Sequence, residues 1–274
     1  GRRVPLPHGE GTSGLMQTMI PRPTTCAWKV WRRNWDVFFK TYRVNFLPPF
    51  IEPVLYLLAI GYGLGMFVGE IEGIPYVLYI APALLAISMM NSSFFECTYS
   101  SFVRMYYQKT FDAMISTPLS IEDVIAGELL WGATRSFIYA TAMLVVLVAF
   151  GVVSLPSSLL VIPFSFLAGL LFSGIAMCFT AITPGIDTLN YPAFLFITPM
   201  FLFSGTFFPL SVLPEALQVF AIGVLPLAQV VTVTRSLTLA TPLPLFFYSL
   251  AWIASCTAIF FFLSIHLMKK RLVV

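Results

Sequence analysis

Charged side chains are scarce in this sequence, where Asp, Glu, Lys and Arg make up only 10% of 274 residues. Histidine is almost absent, with two residues, and the four cysteines form no Cys-x-x-Cys pair. Two isolated imidazoles cannot complete a zinc site, and scattered cysteines beside apolar runs behave as small hydrophobic residues. The sequence therefore predicts neither a metal site nor a disulfide framework.

Motifs of nucleophilic and metal-dependent catalysis are also missing. We find no His-Glu-x-x-His, no Gly-x-Ser-x-Gly and no Gly-rich phosphate loop ending in Gly-Lys-Ser or Gly-Lys-Thr. A lipid-modifying enzyme within the membrane would need a nucleophile with a base, or a metal. We therefore expect a chain without catalysis or a cofactor of its own, whose energy for any work comes from elsewhere.

Apolar residues dominate instead, since 58% of the chain is hydrophobic and the mean hydropathy is +0.89. A soluble core cannot bury this much apolar surface, so the surrounding solvent is a bilayer. Six runs reach the roughly 20 residues that a membrane-spanning helix needs. They cover about residues 46–67, 76–97, 124–150, 157–181, 189–209 and 244–267. The period-two alternation of barrel strands is absent from them, so we predict an all-α membrane protein with six transmembrane helices.

The positions of the basic residues predict the orientation of these helices. Thirteen of the fifteen Lys and Arg residues fall before the first predicted span, between the second and third, or after the sixth. Because basic loops stay in the cytosol, we expect both termini there, and an even number of spans demands the same arrangement. The net charge of +3 reflects this topology and does not suggest nucleic acid as a partner.

The chain before the first span divides into two parts. Residues 1–24 lack hydrophobic periodicity and are predicted to be a mobile tail without a signal peptide. Residues 25–44 place aromatic side chains at steps of three and four, with cations on the other side, which is typical of an amphipathic helix in the membrane interface. This helix is either a simple anchor or an elbow that moves during function. Its candidate residues are Trp28, Trp31, Arg32, Arg33 and Trp35.

A charged segment interrupted by proline separates the second and third spans. Residues 98–112 are rich in aromatic and basic side chains and are predicted to form a short amphipathic helix parallel to the membrane. Pro118 ends it, and Ser120 followed by Asp123 resembles a capping box that begins the next helix. The segment is either a cytosolic knob suited to receiving a push from a partner, or a structured loop without a partner.

Four ionisable residues fall within or beside the predicted spans: Glu52, Glu96, Glu128 and Arg135. A charge at the bilayer centre costs about 2.5 to 3.5 kcal/mol, so each is expected to have a partner. Glu128 and Arg135 are about 10 Å apart along a helix, which is too far for a direct pair. We predict that Arg135 pairs with Glu52 or Glu96 on another helix, and we favour a structural pair over a contact with substrate.

Glycines and prolines mark two further features. Gly61, Gly65 and Gly69 repeat the Gly-x-x-x-Gly spacing that lets helices approach closely, either in a dimer or within one chain. Residues 204–239 are too apolar for an ordinary loop, yet Pro226 and two earlier prolines interrupt them. We predict that this segment forms short re-entrant helices whose polar backbone is buried in protein.

Phenylalanines in the second and fifth spans, including Phe94, Phe201 and Phe203, either line a path for an amphipathic substrate or fill space against lipid. The second interpretation is favoured, because Phe is common in lipid-facing positions. An ion-coupled carrier is an alternative to an exporter. It would need acidic residues near the bilayer midplane, where only Glu52 comes close, and an internal repeat, which the spans do not show.

The run from Phe111 to Arg135, with TPLS followed by EDVIAGELLWGATR, and the later FLFSGTFFPLSVLP resemble the ABC-2 type exporter permeases, most closely their nodulation protein J and drug-resistance branch. The resemblance extends from about Trp28 to the end of the chain. It implies a bacterial inner-membrane homodimer docked on two copies of an ATP-binding subunit, which holds the ATP and Mg²⁺.

The resemblance also implies roles for particular segments. Residues 98–112 would be a coupling helix seated in the ATP-binding subunit, the helix at 25–44 would touch both bilayer and ATPase, and the re-entrant helices would close the outer end of the path. The implied coupling residues are Phe102, Met105, Tyr106, Lys109 and Asp112. The implied activity is export of an amphipathic or glycan-bearing lipid, such as a lipo-oligosaccharide or a polysaccharide-linked lipid, or of a hydrophobic drug, out of the cytoplasmic leaflet.

Overall fold

The computed structural model describes residues 26–41, 51, 54–71, 73–153, 155–239 and 245–272. The predicted tail at 1–24, Glu52 and residues 42–44 of the predicted interfacial helix lie outside this part. Within it the structure is almost entirely helical. One short antiparallel hairpin pairs Glu70–Ile71 with Ile74–Pro75.

We number the helices of the described part in chain order. They are α1 (Ala27–Lys40), α2 (Val54–Val68), α3 (Tyr76–Tyr107), α4 (Thr110–Ile115), α5 (Ile121–Ala149), α6 (Ser157–Ile182), α7 (Ile186–Phe203), α8 (Glu215–Val224), α9 (Pro226–Thr238) and α10 (Phe246–Leu272). A single 3-10 turn, Leu210–Val212, precedes α8.

Five of these helices, α3, α5, α6, α7 and α10, are long and apolar enough to cross a membrane. They coincide with the second to sixth spans predicted from hydropathy, and the all-α membrane fold is confirmed. The first predicted span, 46–67, is described only in part, because α2 is a shorter apolar helix whose preceding residues lie outside the described chain.

The predicted break in residues 204–239 is present as two helices, α8 and α9, bent by 84° at Leu225. Pro226 occupies the first turn of α9, where its missing N–H is not needed, and it biases Leu225 to the extended conformation observed there. Counted as one broken span, the pair would make a sixth crossing. Whether it closes the outer end of a path stays a prediction.

The interior forms where α5 packs against α3, α6 and α1, with α10 against α6. Close approach of α5 and α6 depends on Gly169, because a Cβ added there would lie 2.5 Å from the Cβ of Ser136. Phe94 of α3 is fully buried and stacks with Phe196 of α7 at 6.5 Å. Phe94, which the sequence offered as path lining, is therefore a packing residue in this structure.

The other two candidate path residues are more accessible. Phe203 at the end of α7 is 36% exposed, and Phe201 lies edge-on to Phe207 with ring centroids 4.8 Å apart. Their role in a path stays a prediction.

The glycine repeat of α2 packs within the chain at two of its three positions. Gly61 and Gly65 both face Val77 of α3, where an added Cβ would lie 3.8 and 3.7 Å from its Cγ2. Gly69 ends α2 with a positive φ of 71°, a conformation that glycine adopts without strain. These contacts support packing within the chain, and a dimer face on the same glycines stays a prediction.

The predicted boundary between the second span and a separate helix at 98–112 was wrong. Helix α3 instead continues to Tyr107 through wider π-helical turns at Glu96–Ser100 and Val103–Tyr107. The break comes at Lys109, which has a left-handed φ of 53°. Helix α3 continues because buried side chains on these extra turns, among them Ser101 and Phe102, attach it to its neighbours. The separate short helix is α4.

Candidate functional site

Helix α5 begins at the capping box that the sequence predicted. The Oγ of Ser120 accepts from the backbone N–H of Asp123 at 3.1 Å, and a carboxylate oxygen of Asp123 accepts from the Ser120 N–H at 3.4 Å. Helix α4 is anchored beside this start through Phe111, which is fully buried, and Met114, which is 8% exposed. The short helix is therefore fixed to the first turns of α5.

The residues implied to couple to a partner separate into two groups. Phe102 and Met105 are buried on α3 and face the interior. Tyr106 is 53% exposed, and the side chains of Lys109 and Asp112 are 67% and 59% exposed with 3.8 Å between Nζ and Oδ2. Only the second group presents a surface to another protein.

Helix α1 packs lengthwise against α5, so part of its aromatic side faces the protein instead of the bilayer. An added Cβ at Gly127 of α5 would lie 2.5 Å from the Cβ of Val30, so only glycine admits α1 this closely. The indole of Trp31 donates to Thr134 Oγ1 at 2.8 Å. Predicted as an amphipathic helix in the membrane interface, α1 also buries one stripe against α5. That stripe consists of Ala27, Val30, Asn34 and Phe38.

The three tryptophans of α1 form a stack beside the buried stripe. The stack begins at the exposed Trp28 and touches α5 through Trp31 and Trp35. The rings of Trp28 and Trp31 are 4.2 Å apart, and those of Trp31 and Trp35 are 5.3 Å apart. Trp28 is 58% exposed, and Arg32 is also exposed. This exposed side keeps the composition expected of a membrane interface.

Glu128 of α5 joins three helices although it is fully buried. Its Oε1 accepts from Asn34 Nδ2 of α1 at 2.8 Å. Its Oε2 accepts from Ser101 Oγ at 2.9 Å and from Arg104 Nε at 3.0 Å, both on α3, and Arg104 Nη2 contacts the same oxygen. Both of its oxygens therefore accept hydrogen bonds, which offsets the cost of burying a carboxylate.

Glu96 of α3 forms the second half of this cluster and is 7% exposed. Its Oε1 accepts from Arg104 Nη1 and from Trp131 Nε1, each at 2.9 Å. Its Oε2 faces Arg135 Nε of α5 at 3.6 Å. The predicted pairing of Arg135 with an acid on another helix is thus observed with Glu96, whereas Glu52 lies outside the described residues.

The contact of Arg135 with Glu96 is an ion pair without a hydrogen bond, because 3.6 Å exceeds hydrogen-bond distance. The Nε of Arg135 is buried and has no hydrogen-bond partner among the described residues. Its guanidinium lies 5.3 Å from the ring centroids of both Phe38 and Tyr139. Aromatic faces and one distant carboxylate therefore hold this cation.

Sequence reasoning missed Arg104 as the centre of the cluster and counted it only as a topology signal. One signal was available, because Glu96 and Arg104 are eight residues apart and so share a helix face. Arg33 of α1 was placed on the polar side, and it contacts Asn34 Oδ1 through Nη1 at 3.0 Å. Partial burial lowers the pKa of the Arg33 guanidinium, with Arg104 acting in the same direction and Glu128 opposing it.

Two polar cavities adjoin the cluster and share part of their walls. The first has a volume of about 410 Å³ between α1, α3 and α5, and the second, of about 320 Å³, continues along α3. We call the two together the polar groove. Its charged wall residues are Arg33, Glu96, Arg104 and Arg135, and its deeper part is bordered by Ser88, Asn91, Ser92 and Tyr139.

A second arginine contact lies toward the other end of α3. The Nη2 of Arg235 on α9 donates to the carbonyl of Gly205 at 3.1 Å, and its guanidinium carbon lies 4.1 Å from the ring centroid of Tyr79. Tyr79 Oη also donates to the Gly205 carbonyl at 3.2 Å. The broken pair of helices is therefore tied to α3 and to the turn after α7.

Comparison with known proteins gives a consistent family. The profile of the ABC-2 type transporter family matches residues 25–239. Nodulation protein J of Sinorhizobium fredii (strain NBRC 101917 / NGR234) is 36% identical over 243 residues, which cover 89% of this chain and 92% of that protein. Nodulation protein J of Rhizobium leguminosarum bv. trifolii is 34% identical over 260 residues, covering 95% and 99% of the two chains.

A more distant relative carries a different name. The inner membrane transport permease YadH of Escherichia coli (strain K12) is 28% identical over 197 residues, which cover 69% of this chain and 73% of that protein. The family profile spans α1 to the end of α9, and so includes the capping box, the arginine–glutamate cluster and the broken helix pair. On this sequence match and this helical architecture, the chain belongs to the ABC-2 type transporter family and is a membrane transport permease.

Proposed function

We propose that this chain is the transmembrane permease subunit of an ATP-driven exporter in the bacterial inner membrane. Two copies would form a homodimer with both termini in the cytosol, docked on two ATP-binding subunits that carry ATP and Mg²⁺. The cargo would be an amphipathic or glycan-bearing lipid, such as a lipo-oligosaccharide or a polysaccharide-linked lipid, or a hydrophobic drug. It would leave the cytoplasmic leaflet.

The observation that carries this proposal is the exposed surface at the turn between α3 and α5. Tyr106, Lys109 and Asp112 project outward there, while Phe111 and Met114 anchor α4 to the protein interior. An exposed charged turn next to a firmly anchored helix suits a subunit that receives movement from a partner protein and transmits it to its membrane helices. Membership of this family implies that the partner that drives the movement is an ATP-binding subunit.

The same contacts suggest how a push would be transmitted. Displacement of α4, which packs against α5 and leads into its Ser120 cap, would act on the start of α5. Helix α5 is joined to α1 and α3 through Glu128 and its donors. The three helices would therefore tilt as one unit. In this mechanism α1 moves with the other two helices and is more than a fixed membrane anchor.

Purification of the native complex tests the proposal. The chain is extracted from its host in a mild detergent, and co-purifying proteins are identified by mass spectrometry and assayed for ATP hydrolysis. We expect an ATP-binding subunit at one copy per permease and a vanadate-sensitive ATPase. A native complex without such a subunit, or transport driven by an ion gradient without ATP, would overturn the exporter in favour of an ion-coupled carrier.

A further inference from the structure

The arginine–glutamate cluster carries more positive than negative charge. Arg33, Arg104 and Arg135 provide three guanidinium groups, whereas Glu96 and Glu128 provide two carboxylates. Arg104 alone binds both carboxylates with its Nε and both terminal nitrogens. The cluster therefore carries one net positive charge, and the two arginines that make no hydrogen bond to either carboxylate, Arg33 and Arg135, line the wall of the polar groove.

Arg135 has hydrogen-bonding capacity that the protein leaves unused. Its buried Nε has no hydrogen-bond partner among the described residues, and its one acid lies 3.6 Å away. A buried donor without an acceptor is unfavourable, and a planar guanidinium presents paired donors that match the oxygens of a phosphate. Arg135 lines both cavities, so its guanidinium group borders the space that a ligand would occupy.

The walls of the groove indicate that the anion belongs to an amphipathic molecule. Val37 and Phe95 border the cavities and are 49% and 39% exposed, so apolar surface flanks the cationic centre. Asn91 is half-buried at the border of the second cavity, where its side-chain amide is available to a polar headgroup. A free inorganic anion would gain nothing from the apolar border, whereas acyl chains would pack on it.

We propose that the polar groove binds the phosphate headgroup of an anionic lipid, with Arg135 and Arg33 as the phosphate ligands. This inference rests on the proposed function in one respect only, which is the source of the lipid. The lipid would reach the groove from the cytoplasmic leaflet, either as cargo or as a bound regulator. Binding itself requires no ATP-binding subunit. Its test is therefore separate from the test of the exporter.

The test uses the purified full-length chain in an uncharged maltoside detergent, with three soluble probes. Dioctanoyl phosphatidic acid carries chains and phosphate, dioctanoylglycerol carries the chains alone, and inorganic phosphate carries the anion alone. Binding is followed by the rise in melting temperature with ligand concentration, since a ligand of the folded state stabilises it. We expect phosphatidic acid to raise the melting temperature at concentrations where the other two probes have no effect.

Three variants locate the site. Arg135→Gln is expected to weaken phosphatidic acid binding about tenfold or more, as loss of a charge-assisted hydrogen bond predicts. Glu96 keeps Arg104 and Trp131 as donors in this variant, so the fold is retained. Arg33→Gln, on the outer wall, repeats the test independently. Lys270→Gln removes a positive charge from an exposed position of α10, away from the groove, and should bind as the unmodified chain does.

Each contrary result has a defined meaning. Equal stabilisation by inorganic phosphate at the same concentration would overturn the lipid assignment and leave a simple anion site. Equal stabilisation by dioctanoylglycerol would show that chains alone are bound and would overturn the phosphate assignment. Unchanged affinity in both Arg135→Gln and Arg33→Gln would overturn the groove as the binding site.

Discussion

Arg104 on α3 binds Glu128 on α5 through its Nε at 3.0 Å while its Nη1 binds Glu96 at 2.9 Å. One side chain thus forms ion pairs with two buried carboxylates that belong to different helices. Asn34 of α1 reaches the same Glu128. The three helices meet at this point, so its loss should affect the permease more than the loss of any exposed charge.

Replacing Arg104 with Gln is expected to destabilise the protein severely. The change leaves Glu128 and Glu96 buried with weaker partners, and removal of one member of a buried ion pair typically costs about 3–5 kcal/mol. The measurement is the fraction of monodisperse protein after extraction and its melting temperature in detergent. Arg32→Gln serves as the matched control on an exposed site. A melting temperature equal to that of the control would contradict the role assigned to Arg104.

Removal of the cap at the start of α5 should have a moderate effect. Ser120→Ala deletes the oxygen that accepts from the Asp123 N–H, and loss of such a cap costs about 1 kcal/mol. Hydrogen exchange of the first turn of α5 should become faster, as measured by mass spectrometry. Ser116→Ala is the control. The Ser116 hydroxyl donates to the exposed backbone carbonyl of Asp112 in α4 and takes no part in capping α5. Equal exchange in both variants would argue against the capping box.

Close packing of α1 on α5 predicts sensitivity at Gly127. In the variant Gly127→Ala the new methyl group would lie 2.5 Å from Val30 Cβ and 2.8 Å from the Ala27 carbonyl, so α1 must shift. We expect faster hydrogen exchange throughout Ala27–Lys40 and reduced transport. Gly223→Ala is matched, because nothing lies within 4 Å of the added Cβ there. Protection of α1 that survives Gly127→Ala would refute the tight contact.

Exchange of the exposed charges on the turn before α5 should separate ATP hydrolysis from export. The double variant Lys109→Glu with Asp112→Arg alters side chains that are 67% and 59% exposed, so the melting temperature should stay unchanged. In the reconstituted complex we expect hydrolysis to continue while transport falls. Lys29→Glu, at an exposed position of α1, provides the control. Normal transport by the double variant would exclude this surface from coupling.

Much of the fold follows from length and hydropathy alone, because a membrane helix has to be apolar over a fixed distance. The spans now seen as α3, α5, α6, α7 and α10 were predictable for this reason. The cap at Ser120 was equally accessible, since it depends on residues three positions apart. Excluding Glu128 by its spacing left Glu52 and Glu96 as possible partners of Arg135, and the structure shows the pair with Glu96.

Other features depend on tertiary contacts that no local pattern encodes. Helix α3 continues ten residues beyond its predicted end because Arg104, Ser101 and Phe102 pack against other helices, and hydropathy gives no sign of that packing. The buried stripe of α1 depends on the absence of a side chain at Gly127, a complementarity of shape between distant segments. The aromatic pattern of α1 predicted a helix in the membrane interface but gave no sign of this contact.

The spacing of Glu96 and Arg104 on one helix also bears on how the chain is synthesised. Both residues leave the ribosome before Glu128, because they precede it in the sequence. Helix α3 therefore enters the insertion machinery with its acid and its base already able to neutralise each other. When α5 follows, Glu128 meets an arginine that is already in position, so the order of the chain itself provides each ionised group with a partner as it reaches the membrane.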